Sequence, residues 1–198
     1  MSNVLVPLAD GFEDIEAITV IDVLRRAGVQ VTTASVSPER EAHSSHGIGV
    51  ATDQTLTEAM DDAYDMIVLP GGLPGADTLK KDPRIRSLLQ TMNREGKHIA
   101  AICAAPAVLA DAGLLQGRTA TSYPGCLSQW QDAGVSLREA PVVADGKIIT
   151  SRGPGTAMDF ALALVEALLG NDKRSEVAAA LLAPTAAAGP PGHRAAIA

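Results

Sequence analysis

The chain has 198 residues, of which 46% are hydrophobic and 20% charged, and its formal net charge is −7. Those proportions suit one globular domain with a substantial core and point to neither wholesale disorder nor a membrane protein. The negative balance argues against nucleic acid as the main partner, because phosphate binding relies on clustered Lys and Arg.

In chain order, residues 4–8 read as a short, buried opening strand. After the turn at Ala9-Asp10-Gly11, a helix is expected over about 13–27, with apolar positions Ile15, Ile18, Ile21 and Leu24 and a stop at Gly28. It ends on Arg25-Arg26, a short basic cluster that the helix dipole explains. A β-branched strand over 29–36 completes a βαβ unit, the signature of a parallel sheet. Residues 37–49 are polar and read as a loop or an edge hairpin. A buried strand over 65–70 runs into Gly71-Gly72-Leu73-Pro74-Gly75, and a helix follows over about 83–94. Next come a strand over 98–102, a helix after Cys103, a strand over 118–122, and strands over 136–150 turning at Asp145-Gly146. Helices over 155–169 and about 173–182 close the pattern, with Met158, Phe160 and Leu162 read as packing. The expected architecture is α/β, a three-layer sandwich forming one domain over 1–182, with sites at the carboxyl ends of parallel strands. Residues 183–198, rich in Ala, Pro and Gly, are expected to form a mobile tail.

Cys103 and Cys126 are the only cysteines and form no Cys-x-x-Cys, which suggests a reducing, cytoplasmic setting. The N-terminal residues lack the features of a signal peptide, and no apolar run reaches the length of a membrane span.

The chemistry-bearing segment is Ile99-Ala100-Ala101-Ile102-Cys103-Ala104-Ala105-Pro106. A strand that turns into a helix at a nucleophile lifts the sulfur out of the sheet toward the positive end of a helix, which favours a thiolate. The plainer alternative is a buried, inert cysteine, and the segment alone leaves both open. Three strand ends converge by the same rule: Gly11-Phe12-Glu13-Asp14-Ile15-Glu16, Pro70-Gly71-Gly72 and Cys103-Ala104. Glu16 is the carboxylate to aim at Cys103. Desolvation would protonate it, so that it donates to a thiolate, and when ionised it would remove a proton from carbon. Equally, it is a first-turn acid that stabilises its own helix. The backbone N–H groups of Gly72 and Ala104 would stabilise an oxyanion, although a double glycine is also an ordinary loop.

Gly-Phe-Glu-Asp-Ile-Glu-Ala, Val-Leu-Pro-Gly-Gly, Ala-Ala-Ile-Cys-Ala-Ala-Pro and Thr-Ser-Arg-Gly-Pro-Gly-Thr occur here in order. Together they resemble the ThiJ/PfpI superfamily, in the branch of the Parkinson's-disease-associated deglycase and its bacterial relatives. The resemblance covers about residues 4–182 and implies a flavodoxin-like homodimer. It places Cys103 at the reactive cysteine, Glu16 at its partner carboxylate, and Gly72 and Ala104 at the N–H groups facing the thiol. Arg152-Gly153-Pro154-Gly155-Thr156 would support the dimer and the pocket rim. Ala104 stands where proteolytic branches carry a histidine. Tyr123 and His46 replace a histidine and an arginine of the human site, and with Gly71 they are the pocket candidates. Cys126 reads as a packing or surface thiol. His43 and His46 lack the further ligands a metal site needs, so neither a metal nor another cofactor is expected.

The resemblance implies cysteine-dependent detoxification of a small aldehyde or dicarbonyl such as methylglyoxal or glyoxal, as a glutathione-independent glyoxalase or a deglycase. The alternatives are a redox-sensing or chaperone-like stress protein built on an oxidisable Cys103, and a fold member without useful turnover.

Overall fold

Strand β1 (Asn3–Leu8) leads into helix α1 (Asp14–Arg26) and returns as β2 (Gln30–Ser35), giving the expected βαβ unit, in a computed structural model that describes residues 1–183. The polar stretch forms a two-stranded antiparallel hairpin, β3 (Glu41–His43) and β4 (Gly49–Ala51). Short β5 (Gln54–Thr55) and α2 (Leu56–Ala59) follow, then β6 (Met66–Leu69), α3 (Gly75–Lys81) and α4 (Pro83–Arg94). The chain continues through β7 (His98–Ile102), α5 (Pro106–Asp111), β8 (Thr119–Ala120) and β9 (Ser136–Leu137). It ends in β10 (Val142–Asp145), β11 (Ile148–Ser151), α6 (Ala157–Leu169) and α7 (Asn171–Ala180).

Seven strands form one sheet in the order β10-β11-β7-β6-β1-β2-β5, parallel throughout except at β10. Period-two alternation divides their side chains between two cores. Val4, Val6, Met66, Val68, Ala100 and Ile102 face one side, covered by α1, α6 and α7 through residues such as Leu24, Phe160 and Val177. Leu5, Ile67, Leu69, Ile99 and Ala101 face the other, covered by α3, α4 and α5 through Leu79, Leu89 and Leu109. This is the three-layer α/β sandwich. Chain order reverses beside β1, since β2 lies on one side of it and β6 on the other. At such a switch point the loops leaving adjacent strands diverge and open a crevice at their carboxyl ends. The loops after β1 and β6 form that crevice, next to the end of β7.

Several expectations are corrected. On α1, Ile15 and Ile18 are exposed, and the inward face is Glu16, Ala17, Val20, Ile21, Val23 and Leu24. Helix α3 was unexpected, although it buries Ala76 and Leu79. The strand expected over 118–122 shrinks to β8, which pairs parallel with β9 outside the main sheet. The reason is local: Thr121 N–H donates to Thr150 Oγ1 at 2.9 Å, and Tyr123 N–H to the Cys103 carbonyl at 2.9 Å, which draws the chain away. Ala183, assigned to the tail, donates its N–H to the Ala178 carbonyl at 3.0 Å and packs against the core. The rest of the expected tail, 184–198, lies outside the described residues. Among the described residues no helix is long and apolar enough to cross a membrane.

Candidate active site

Strand β7 ends at Ile102, and Cys103 takes φ +64°, a left-handed conformation that a side chain rarely adopts. Such a residue is strained by about 1–3 kcal/mol and persists only where its surroundings hold it. Here Cys103 N–H donates to the Ser151 carbonyl at 3.0 Å, and the Cys103 carbonyl accepts Tyr123 N–H at 2.9 Å. Both peptide groups are pinned, so the side chain is aimed out of the sheet into the crevice. Pro106 then begins α5 where a missing N–H is harmless.

Glu16 reaches the same point from α1. It is fully buried, and its Oε2 accepts Gly71 N–H at 2.8 Å while Oε1 has no hydrogen-bond partner. The two side chains meet across Gly71, where an added Cβ would fall 2.6 Å from Cys103 Cβ and 2.7 Å from Glu16 Oε2. Gly72 is as constrained. Its φ is +88°, and a Cβ there would lie 2.4 Å from the Gly11 carbonyl oxygen. The β6 loop is locked onto the β1 loop, because Glu13 N–H donates to the Gly71 carbonyl at 3.0 Å. That bond serves α1 as well, whose N-cap Glu13 supplies no side-chain cap.

Burial raises Glu16 to about 7, against the lowering effect of Gly71 N–H and the neighbouring thiol. Burial and the adjacent Glu16 charge push Cys103 up to about 12, while the N–H groups of Gly72 and Ala104 act to hold it down. The expected resting thiolate is therefore opposed by an ionised Glu16. One negative charge is shared between two groups in a dry site, and the carboxyl holds it when the site is empty. A proton moved from sulfur to Glu16 converts the repulsion into a donated hydrogen bond, and the two backbone N–H groups then face a thiolate.

Cys103, Glu16, Gly71, Gly72 and Ala104 are thus assembled at one point. Tyr123 stands at the rim, half exposed, across Gly153: a Cβ on Gly153 would lie 3.4 Å from Tyr123 Cδ2 and 4.0 Å from Cys103 Sγ. His46 is engaged elsewhere, with Nδ1 2.5 Å from Asp14 Oδ2 at the start of α1. That bond, with the nearby Glu13 charge, raises the His46 pKa. Cys126 is half-buried, and burial followed by the charge of Asp77 pushes its thiol up. Gly153 belongs to the Arg152–Thr156 turn expected at the pocket rim, whereas Ser151, whose carbonyl holds Cys103 N–H, was not singled out although it lies in the same Thr150-Ser151-Arg152-Gly153 motif.

Residues 2–167 match the model of the DJ-1/PfpI family. The chain belongs to the DJ-1/PfpI family. It is 43% identical over 181 residues to Protein DJ-1 homolog A of Arabidopsis thaliana, covering 91% of this chain but 46% of that relative, so it spans less than half of that protein. It is 37% identical over 174 residues to Glutathione-independent glyoxalase DJR-1.2 of Caenorhabditis elegans, covering 88% of this chain and 91% of the relative. Among solved structures, oxidized Toxoplasma gondii DJ-1 superposes with a TM-score of 0.89 at 40% identity, over 93% of this chain and all of the other.

Within this DJ-1/PfpI chain the two hairpin histidines bind different carboxylates. His43 Nε2 lies 3.5 Å from Glu41 Oε1, on a different carboxylate from His46. Glu13, Asp14 and His46 bring three potential ligand atoms within 4.8 Å of one another, and the His46–Asp14 ion pair holds that group together. The crevice therefore brings together the Cys103 thiol after β7, the Glu16 carboxyl of α1 and the Gly71-Gly72 backbone after β6, with the β6 loop bonded to the β1 loop through Glu13 N–H.

Proposed function

We propose that this protein is a glutathione-independent glyoxalase that detoxifies small dicarbonyls in stress protection, in a reducing cytoplasmic compartment and without a cofactor. The observation that carries this reading is a fully buried Glu16, raised to about 7, sharing one charge with Cys103 at a turn lined by two N–H groups. Cys103 gives its proton to Glu16 and adds to the aldehyde carbon of methylglyoxal, forming a hemithioacetal. Glu16 passes that proton to the new alkoxide. Ionised again, it takes the hydrogen from the former aldehyde carbon as a proton and returns it to the former ketone carbon, while the hydroxyl proton moves to the former ketone oxygen, leaving a thioester. Gly72 and Ala104 N–H groups stabilise the oxygen that becomes negative. Water hydrolyses the thioester, so methylglyoxal plus water gives lactate and the free thiol. Deglycase chemistry begins with the same addition, since early adducts release free aldehyde. The glyoxalase name of the worm relative favours the first form.

Lactate formed from methylglyoxal without glutathione tests the reading. Wild type produces it, Cys103→Ser abolishes it, and Glu16→Gln lowers it by about 10²–10⁴-fold, the usual contribution of a general acid–base group. Aldehyde loss without lactate would reduce Cys103 to a trap, and inert but folded wild type would overturn the proposal. A second reading, redox sensing, is favoured by the oxidized state of the solved Toxoplasma relative. On that reading mild peroxide adds two oxygens to Cys103 before Cys126, as peptide mass mapping would show. On this reading the chain works as a homodimer, and the one domain expected over 1–182 extends to the core-packed Ala183.

A further inference from the structure

A cleft of about 370 Å³ opens beside the nucleophile, lined by Tyr123, Ser128, Arg138, Glu139 and Arg152 among others. A three-carbon dicarbonyl leaves most of that space empty. The sheet sets the cleft near the thiol. Ser151 pairs with Ile102 at the ends of β11 and β7, so Arg152 and Cys103 leave adjacent strands at the same level. Gly153, which has no side chain, lies beside both the sulfur and the Tyr123 ring, and that ring lines the cleft: a Cβ on Gly153 would fall 4.0 Å from Cys103 Sγ and 3.4 Å from Tyr123 Cδ2.

The charge of the cleft is unbalanced. It contains two guanidinium groups and one carboxylate. Arg152 is largely buried, with 29% of its side chain exposed, and its carboxylate partner Glu139 lies 3.8 Å away and is 94% exposed. A pair so long and so wet is weak, and a ligand that offers Arg152 a bidentate carboxylate displaces it readily. The surplus of a single positive charge suits a monoanion better than a dianionic phosphate.

We infer that this cleft is a carboxylate subsite, and that the substrate class is 2-oxoaldehydes carrying a carboxylate a few bonds from the dicarbonyl. The inference rests on the glyoxalase reading. Arg152 and Arg138 bind the carboxylate while the aldehyde carbon reaches Cys103 past Gly153. The chemistry is unchanged: 4,5-dioxopentanoate plus water gives 2-hydroxyglutarate, with no oxidant or reductant.

The test compares kcat/KM for 4,5-dioxopentanoate with that for 2-oxohexanal, a neutral 2-oxoaldehyde of similar length. Wild type prefers the anion by about tenfold or more, roughly the worth of one charge-assisted pair. The preference falls toward one in R138A/R152Q, and grows in Glu139→Gln as the competing carboxylate is removed. Equal kcat/KM values in wild type, or a preference that survives in R138A/R152Q, would overturn the inference and leave the glyoxalase reading standing. If neither aldehyde is consumed, the glyoxalase reading fails, and calorimetric titration with the monoanion 4-oxopentanoate judges the cleft alone. Its binding, lost in R138A/R152Q, supports the subsite, and absence of binding to wild type rejects it.

Discussion

A helix that needed only a first-turn acid would leave it in water, whereas Glu16 is fully buried with one oxygen unpartnered. The consequence is a stability that depends on pH with a definite sign. An unfolded glutamate titrates near 4.5, but in the fold this one keeps its proton to about 7. Between those values the native state binds the extra proton, so stability declines as pH rises, and the full loss is present above 7. A displacement of that size corresponds to about 3 kcal/mol. Glu16→Gln, which cannot ionise, should match wild type in urea denaturation at pH 4 and exceed it at pH 8; equal stability at pH 8 would contradict the burial argument. Gly72 carries the opposite lesson, because it is irreplaceable for steric reasons. A Cβ there meets backbone at 2.4 Å in a left-handed conformation. Gly72→Ala should lower stability by about 2 kcal/mol or more from conformation and clash together, read as a fall in the urea midpoint. The same two residues show what was legible in the sequence. Glu16 was identifiable because it follows a strand end between apolar Ile15 and Ala17, and because Gly-Phe-Glu-Asp-Ile-Glu-Ala matches the family motif. Its inward face emerged only in the structure. The need for Gly71 was less visible, since only the packed structure reveals that a side chain would sit between carboxyl and thiol.

Elements with strong periodicity or clear stops were readable, and those defined by a few residues were not. Strands β1, β6 and β7 are short apolar runs because both faces of a parallel sheet are covered. Helix α3 is seven residues long and follows a glycine–proline stretch, so its apolar Ala76 and Leu79 gave too little pattern to register. On α1 the spacing was right and the face wrong: Ile15 and Ile18 share the helical period with Ile21, yet the helix turns them to solvent so that Glu16 can point inward. Short elements depend on their caps instead. Four-residue α2 is held by a capping box in which Thr55 accepts Glu58 N–H and Glu58 Oε2 accepts Thr55 N–H at 2.8 Å. Glu58 also binds Arg40, next to the β3–β4 hairpin, at 2.7 Å. Thr55→Ala should therefore cost about 1 kcal/mol. Amide exchange should quicken in α2 and β5 and leave β1 unchanged; a global acceleration would mean that the box supports more than its own segment.

At the scale of the whole molecule, the face of α1 that the core does not use is apolar. Ile15 and Ile18 are 55% and 43% exposed, and Ile48, in the hairpin turn, is 55% exposed. They form one neighbourhood, because Ser45 N–H donates to the Phe12 carbonyl at 2.8 Å and His46 binds Asp14, which holds the hairpin against the start of the helix. An isoleucine left in water forfeits roughly 1.5–3 kcal/mol of burial, and three together mark a surface that a second copy would cover. A two-fold interface fits because one patch then serves both protomers. It would also place the partner behind Glu16, which shares a helical turn with Ile15 and Ile18, so that dimer formation stiffens the helix that carries the proton. Sedimentation equilibrium should give a dimer at micromolar concentration for wild type and a monomer for I15E/I18E. The monomer should keep its far-ultraviolet circular dichroism, since both side chains lie outside the core, while lactate formation declines as the helix loosens. A wild-type monomer would remove the homodimer from the proposal. A fully active I15E/I18E monomer would show that the catalytic geometry belongs to one chain alone.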